Sequence, residues 1–290
     1  SIMDNIDSPI LSSLDIQYFR YKNYKFTAKQ IETICKEILN LVKTYPVIKI
    51  EEPCDPSVGY EFSASMIEVP FDETYKKMTN VLWEEGIGYF HIDVGDGKFV
   101  TRQFSGLEKT EYLQKTFPES ILHAHLMVEN PHLPIDDGQS YIEKYIDAGC
   151  QAIAVHRRAF TEENYIKEAI NQIRKKKARP GFIIETTEIH DIDYLINEFG
   201  LNWFVIMGVP VGYGGQIFDM STLQRIAELY QYSKNNNEPI LIEIDGGLTM
   251  ETLRLCRTVG AQIFAGWSIV KADSIDAIRK NVGAIQQLIS

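Results

Sequence analysis

The sequence predicts an α/β protein, a (β/α)8 (TIM) barrel carrying an N-terminal helical extension. Three observations carry that expectation. Eight short apolar runs recur between residues 61 and 290, and amphipathic helical patterns follow them. Strands alternating with helices form a parallel sheet, and eight such units in a chain of this length close into a barrel. The turn after the first run reads EVPFDET (68–74). It lacks the Gly-x-Gly-x-x-Gly that an open doubly wound sheet would place there.

Taken in order, the chain begins with an extension over residues 1–60. Thr27 to Gln30 reads as a capping box that opens a helix over about 28–44. Ile31, Ile34, Ile38, Leu41 and Val42 make its apolar face, and a short strand at 46–52 follows. The extension shows no recognisable chemistry. It either covers the lower end of the barrel or joins an interface between copies, and a homo-oligomer is expected.

The barrel domain spans 61–290. Its strands are expected at 61–67, 88–94, 121–127, 152–156, 181–185, 202–207, 240–245 and 262–265. Helical patterns occur at 72–85, 107–116, 140–147, 161–177, 219–231, 249–258 and 273–288, with 107–116 the weakest. The basic run Arg174 to Lys177 reads as a solvated helix end.

Composition narrows the function. Lys+Arg total 29 against Asp+Glu 40, a formal charge of −11. An acidic chain is a poor partner for nucleic acid, whose phosphates need a basic face. No apolar stretch approaches the roughly 20 residues that cross a bilayer, and no signal-peptide pattern opens the chain. Cys35, Cys54, Cys150 and Cys256 are scattered without Cys-x-x-Cys, which fits reduced thiols in a cytoplasmic protein.

In a parallel barrel the functional residues gather at the C-terminal ends of the strands. His91, Asp93, His125 and Asp245 fall at such ends. His91 and Asp93 are two apart and leave the same face of their strand. Two imidazoles and two carboxylates suit one divalent metal ion such as Zn, Mn, Fe or Co. A second group is glycine-rich: Gly212-Tyr213-Gly214-Gly215, Gly246-Gly247 and Gly266 each follow one of the last three strands. Glycine lets backbone N–H groups approach an anion, and late loops of a barrel often cradle phosphate.

The segments HIDVGDGKFV (91–100), HLMVENP (125–131), AGCQAIAVH (148–156), VPVGYGGQIF (209–218) and IEIDGGLTMET (242–252) resemble ribulose-phosphate 3-epimerase. The resemblance covers roughly residues 61–290. It implies a metal-dependent isomerase that inverts the hydroxyl-bearing carbon beside the ketone of a ketose phosphate. By position it implies His91, Asp93, His125 and Asp245 as metal ligands, with Asp93 and Asp245 as the two catalytic acid/base groups. Ser65 and His125 would contact substrate, and Met127 and Met207 would cap the sugar. Gly212, Tyr213, Gly214, Gly215, Gly246, Gly247, Gly266 and Trp267 would line the phosphate end. Such an epimerase removes a proton from one face of a carbon and returns one to the other, which two carboxyl groups and a Lewis acid can accomplish.

The chain departs from the family pattern in its substrate walls. Gly95 stands where a methionine is usual. Glu185-Thr186-Thr187-Glu188-Ile189 replaces Asn-Pro-x-Thr-Pro, and Pro210-Val211 precede the glycine loop. Gly266-Trp267 replaces Gly-Ser, with the indole expected to turn outward and the backbone donor retained. His123 replaces an acidic residue and is expected either beside the ligands or in the core. These changes leave room for a ketose other than ribulose 5-phosphate, or for a sugar-phosphate-binding barrel without turnover. A decarboxylase or synthase of similar shape would need Asp-x-Lys-x-x-Asp, and Asp93-Val94-Gly95-Asp96 has no lysine.

Overall fold

A computed structural model describes residues 59–186, 192–213 and 215–290. The expected helix at 28–44 and strand at 46–52 lie outside the described residues, as do Cys35, Cys54 and Gly214. The barrel forms within a compact unit, Ile50–Ser290.

Its elements run β1 (Glu61–Ser65), α1 (Glu73–Glu84), β2 (Tyr89–Asp96), β3 (Gln103–Phe104), α2 (Leu107–Thr116), β4 (Ile121–Met127), α3 (Tyr141–Asp147) and β5 (Ala152–His156). They continue with α4 (Glu163–Lys175), β6 (Arg179–Ile184), α5 (Ile192–Phe199), β7 (Trp203–Met207), α6 (Thr222–Asn236), β8 (Leu241–Asp245), α7 (Met250–Val259), β9 (Ile263–Gly266) and α8 (Ile275–Ile289). β1 pairs with both β2 and β9, which closes eight parallel strands into a barrel. β3 is an addition, paired antiparallel to the end of β2. It was not expected from the sequence, and it extends β2 two residues beyond the expected end.

Local chemistry places the helices. Asp72 caps α1 by accepting from the N–H groups of Thr74 and Tyr75. Ser140 and Glu143 form a capping box on α3, as Thr249 and Thr252 do on α7. On α4, Ile166, Ala169, Ile170 and Ile173 recur at helical spacing and are buried against the sheet. Each fully buried isoleucine of this kind contributes about 1.5–3 kcal/mol. The basic run ends α4: Arg174 donates to the carbonyl of Gly200, and Lys176 pairs with Asp147 at the surface. Cys150 and Cys256 are free and buried. No described helix is long and apolar enough to cross a membrane.

Register sets the site. β2 and β4 run side by side with His91 beside His123 and Asp93 beside His125. Residues two apart on a strand share a face, so all four side chains enter the barrel. On β8, Glu243 and Asp245 share a face in the same way, with Asp245 beside Met207 of β7.

Candidate active site

His91, Asp93, His125 and Asp245 converge at the C-terminal mouth of the barrel. One ligand atom from each lies within 4.8 Å of all the others. His125 Nδ1 is 3.1 Å from Asp245 Oδ2 and 3.4 Å from Asp93 Oδ1. His91 Nε2 is 3.4 Å from Asp93 Oδ1, from Asp245 Oδ2 and from His125 Nδ1. Ser65 Oγ donates to Asp93 Oδ2 at 2.6 Å.

The electrostatics follow from this crowding. Burial by itself would depress the His91 imidazole, but the charges of Asp245 and Asp93 outweigh it and hold its pKa well above the ordinary value. His125 is likewise pulled down by burial and raised further by its contacts with Asp245 and Asp93. Asp93 is pushed up by burial, yet His91 and His125 hold it far below the carboxylate range. The field that draws protons onto these rings is the one a divalent cation would feel. Two nitrogens and two carboxylate oxygens are also the donor types that first-row metals accept. The residues present therefore fit one such ion.

Further groups surround this cluster; His123 and Glu185 stood out in the sequence only as departures from the family pattern, and Glu243, Trp203 and His156 did not stand out as site residues. Glu243 Oε1 meets His91 Nδ1 at 3.0 Å, and Oε2 meets His123 Nδ1 at 3.1 Å and accepts from Trp203 Nε1 at 3.1 Å. Burial would raise Glu243, but His123 and His91 bring it down to about 2. His123 is both buried in the core and part of this network, since its Nε2 also contacts Ser63 Oγ at 2.7 Å. On the other side His156 Nε2 touches His125 Nε2 at 2.8 Å, and His156 Nδ1 meets Glu185 Oε1 at 2.7 Å. Burial pushes His156 down to about 3. Glu185 is raised by burial, but the hydrogen bond from His156 and the nearby Arg158 hold it below the carboxylate range. Both Glu243 and His156 carried a readable signal. Glu243 lies two residues before Asp245, and His156 ends its strand.

Above the cluster opens a cavity of about 410 Å³. Ser65, Asp93, His125, Met127, Met207, Gly212, Tyr213, Gly215, Asp245, Gly246, Gly247, Gly266 and Trp267 line it. His91 does not; it lies against the other three ligand-type residues below. Arg102 and Lys271 also line the cavity and were not anticipated. The hydroxyl of Tyr213 is hydrogen-bonded to Thr101 Oγ1 at 2.8 Å. Gly246 and Gly247 adopt φ of +88° and +70°, and a Cβ on either would come within 2.9 Å of Val209 side-chain atoms. Only glycine fits this pair, which keeps the backbone close to the cavity.

One expectation about the walls changes, and one departure gains a physical reason. Trp267 does not turn outward: it is 8% exposed and lines the cavity. Its backbone holds the turn after β9, with the Trp267 carbonyl accepting from the N–H groups of Val270 and Lys271. Gly95 is not simply a lost methionine. A Cβ there would lie 2.8 Å from the Arg102 carbonyl oxygen and from the Phe104 ring, because β3 packs directly over it.

Comparison with known proteins gives this geometry its context. The model of the ribulose-phosphate 3-epimerase family matches residues 61–270. The chain belongs to the ribulose-phosphate 3-epimerase family. It is thus an isomerase of the epimerase kind. It is 30% identical over 195 residues to the ribulose-phosphate 3-epimerase of Aquifex aeolicus (strain VF5), spanning 66% of this chain and 82% of that protein. It is 31% identical over 203 residues to the ribulose-phosphate 3-epimerase of Chlamydia trachomatis serovar D, spanning 68% and 81%. Among solved structures, 3-keto-L-gulonate-6-phosphate decarboxylase from Vibrio cholerae superposes with a TM-score of 0.57 at 13% identity, covering 80% of this chain and 98% of that one. The 3-hexulose-6-phosphate synthase of Salmonella typhimurium gives 0.54 at 14% identity, covering 78% and 99%. At such identity these structures speak for the barrel alone.

Proposed function

We propose that this family member is a metal-dependent epimerase that inverts the hydroxyl-bearing carbon beside the ketone of a ketose phosphate, interconverting D-ribulose 5-phosphate and D-xylulose 5-phosphate. The observation that carries the reading is the pair of carboxylates, Asp93 and Asp245, set around two imidazoles at the floor of a cavity walled by Met127 and Met207. Family membership adds weight to it.

Epimerisation beside a carbonyl needs a base on one face of the carbon and an acid on the other. Asp93 and Asp245 take these roles and exchange them with the direction of reaction. Ser65 donates to Asp93 Oδ2 and steadies the carboxyl while its protonation changes. His91, Asp93, His125 and Asp245 would hold one divalent ion of Zn, Mn, Fe or Co. When bound, that ion supplies Lewis-acid polarisation of the ketone. Met127 and Met207 give an apolar, soft wall that carries no exchangeable proton against a planar enediolate. The Gly246-Gly247 and Gly266-Trp267 backbone, with Gly212 and Gly215, forms the phosphate end, and Lys271 adds positive charge to the cavity wall, while Arg102 lines the cavity paired with Glu68.

The indole of Trp267 inside the cavity favours a second substrate reading: a ketose phosphate other than ribulose 5-phosphate. The test is a panel of ketose phosphates and unphosphorylated ketoses in deuterated water, with the metal-loaded full-length chain. Deuterium entering at the carbon beside the carbonyl of ribulose 5-phosphate, together with formation of xylulose 5-phosphate, is the expected result. Exchange confined to another ketose favours the second reading. A loaded protein that exchanges none of them is a binding barrel and not an epimerase.

A further inference from the structure

Outside the converging donors, one line of side chains is left unused by the proposed chemistry. His125 Nε2 lies 2.8 Å from His156 Nε2, and His156 Nδ1 lies 2.7 Å from Glu185 Oε1. Arg158 Nε donates to that same oxygen at 2.7 Å, and its guanidinium sits 3.7 Å from the centre of the Phe99 ring. The Phe99 ring packs against His156 in turn, 4.7 Å between centres. His156 is fully buried and Glu185 is 8% exposed. The stretch from His125 through His156 to Glu185 therefore meets little competing water, while Arg158 at its outer end is partly exposed.

Counting protons gives the line a direction. A carboxylate only accepts, so the hydrogen in the Glu185 contact sits on His156 Nδ1. A neutral His156 then has its lone pair at Nε2. The hydrogen between the two rings must come from His125 Nε2. In the neutral ring that leaves the lone pair on His125 Nδ1, facing Asp245 Oδ2 and Asp93 Oδ1. The same count applies to His91: its Nδ1 donates to Glu243, so the neutral ring carries its lone pair on Nε2. With both rings neutral, two lone pairs and two carboxylate oxygens face one another; a proton or a divalent cation relieves that arrangement, and the two compete for the same space. The opposite direction, with the hydrogen on His125 Nδ1 donated to Asp245, would close the site to a cation.

We propose that Glu185 is a positioning residue: through His156 it holds His125 as the Nε2–H tautomer, with Nδ1 turned to the donor cluster, and so sets the affinity of that cluster for a divalent cation. The proposal deepens the metal-dependent reading above and rests on it. An amide at this position, where the family usually has Asn, would carry no charge to pass along the line. Glu185 makes His125 a more basic ligand than an amide would, in the way a carboxylate behind a ligating imidazole does.

The test uses the full-length chain stripped by a chelator and titrated with Zn²⁺ against a chromophoric competitor. Glu185→Ala is expected to weaken Zn²⁺ binding by roughly 10–100-fold, the usual cost of losing such a partner. Glu185→Gln keeps an oxygen for His156 and is expected to fall between Glu185→Ala and the wild type. Imidazole nitrogen NMR of the Zn²⁺-loaded wild type should show His125 protonated on Nε2 and bound through Nδ1. Thermal melts of the metal-free proteins check that each variant folds, and if Glu185→Ala does not, Glu185→Gln decides alone. Zn²⁺ affinity in the folded variants equal to wild type overturns the proposal, as does a His125 proton on Nδ1. A wild type that takes up no Zn²⁺ overturns the metal-dependent reading itself, which separates the two failures.

Discussion

Glu243 Oε1 lies 3.0 Å from His91 Nδ1, deep in the barrel where neither group meets solvent. The other oxygen of the same carboxylate serves His123 and Trp203. Three N–H groups from three strands thus end on one residue of β8. Glu243→Gln replaces one of the two accepting oxygens with a donor. At least one buried N–H then faces an N–H, at a cost of about 1–3 kcal/mol. Denaturant unfolding of the metal-free protein is expected to show that loss. A variant as stable as wild type would mean that the carboxylate holds nothing together.

The same carboxylate makes the metal-free protein sensitive to acid. Glu243 is pulled by His123 and His91 to about 2, below its ordinary value. A depressed folded pKa gives stability that is fully present above the unfolded pKa, near 4.5. That stability is lost as pH falls through the folded value. Wild type is therefore expected to lose stability faster than Glu243→Gln between about pH 4.5 and pH 2. Urea midpoints across this range measure it, and parallel pH profiles for the two proteins would contradict the assignment.

How much of this could be read from the chain differs residue by residue. β4 and β5 begin and end where their apolar runs do, because each run is bounded by turn residues. His91, Asp93, His125 and Asp245 stood out because ligand-type side chains at strand ends are rare and the period-two rule aligns them. Glu243 obeys the same rule but was passed over, since one carboxylate inside an apolar run gives no hint of three donors waiting for it. Glu185 was visible only as a departure from Asn. Its partners, His156 and Arg158, come from β5 and the turn after it, and adjacency between strands is not written in sequence spacing. β3 has two residues and too little pattern to detect, so Gly95 could be seen as an omission but not as the room β3 needs.

Asp93→Asn and Asp245→Asn are each expected to reduce epimerisation by several orders of magnitude while the barrel still folds. An amide cannot take or return a proton, and acid–base assistance from one positioned side chain is worth about 10²–10⁴-fold. Asp93 also loses the ionised form that Ser65 supports. Rates on ribulose 5-phosphate, with circular dichroism as the check on folding, measure the effect. Substantial turnover in either folded variant would refute the two-carboxylate mechanism.

Gly95→Met restores the side chain usual in the family and is nevertheless expected to harm this protein. The new Cβ would enter within 2.8 Å of the Arg102 carbonyl oxygen and the Phe104 ring. β3 would have to leave the end of β2, taking with it the pairing of Gly95 with Phe104. Overpacking of this kind costs about 1–3 kcal/mol. In a domain of this size that lowers the thermal midpoint by on the order of 5 °C. An unchanged or higher midpoint would show that the space over Gly95 is free.

Trp267 takes up room at the end of the cavity proposed to receive the phosphate. The indole lies against the cavity together with Gly266, Ser268 and Lys271. It follows β9, the strand beside the one that ends in Asp245, but it carries no group that could take a proton from a carbon or return one. Trimming it should therefore act on binding more than on chemistry. Trp267→Phe keeps an apolar ring and the turn after β9, so it is the variant that tests size without emptying the site. For a substrate that touches the indole, KM is expected to rise while kcat stays near the wild-type value, the signature of a contact made equally in ground and transition states. Loss of one apolar contact of this size is worth about 1–3 kcal/mol, or roughly 10–200-fold in kcat/KM. For a ketose phosphate one carbon longer the sign reverses, since the space released admits it. Comparing kcat/KM for ribulose 5-phosphate and the longer sugar in both proteins reads the switch. A fall in kcat with KM unchanged would place Trp267 in the chemistry instead, and no change for either sugar would take the indole out of the substrate's path.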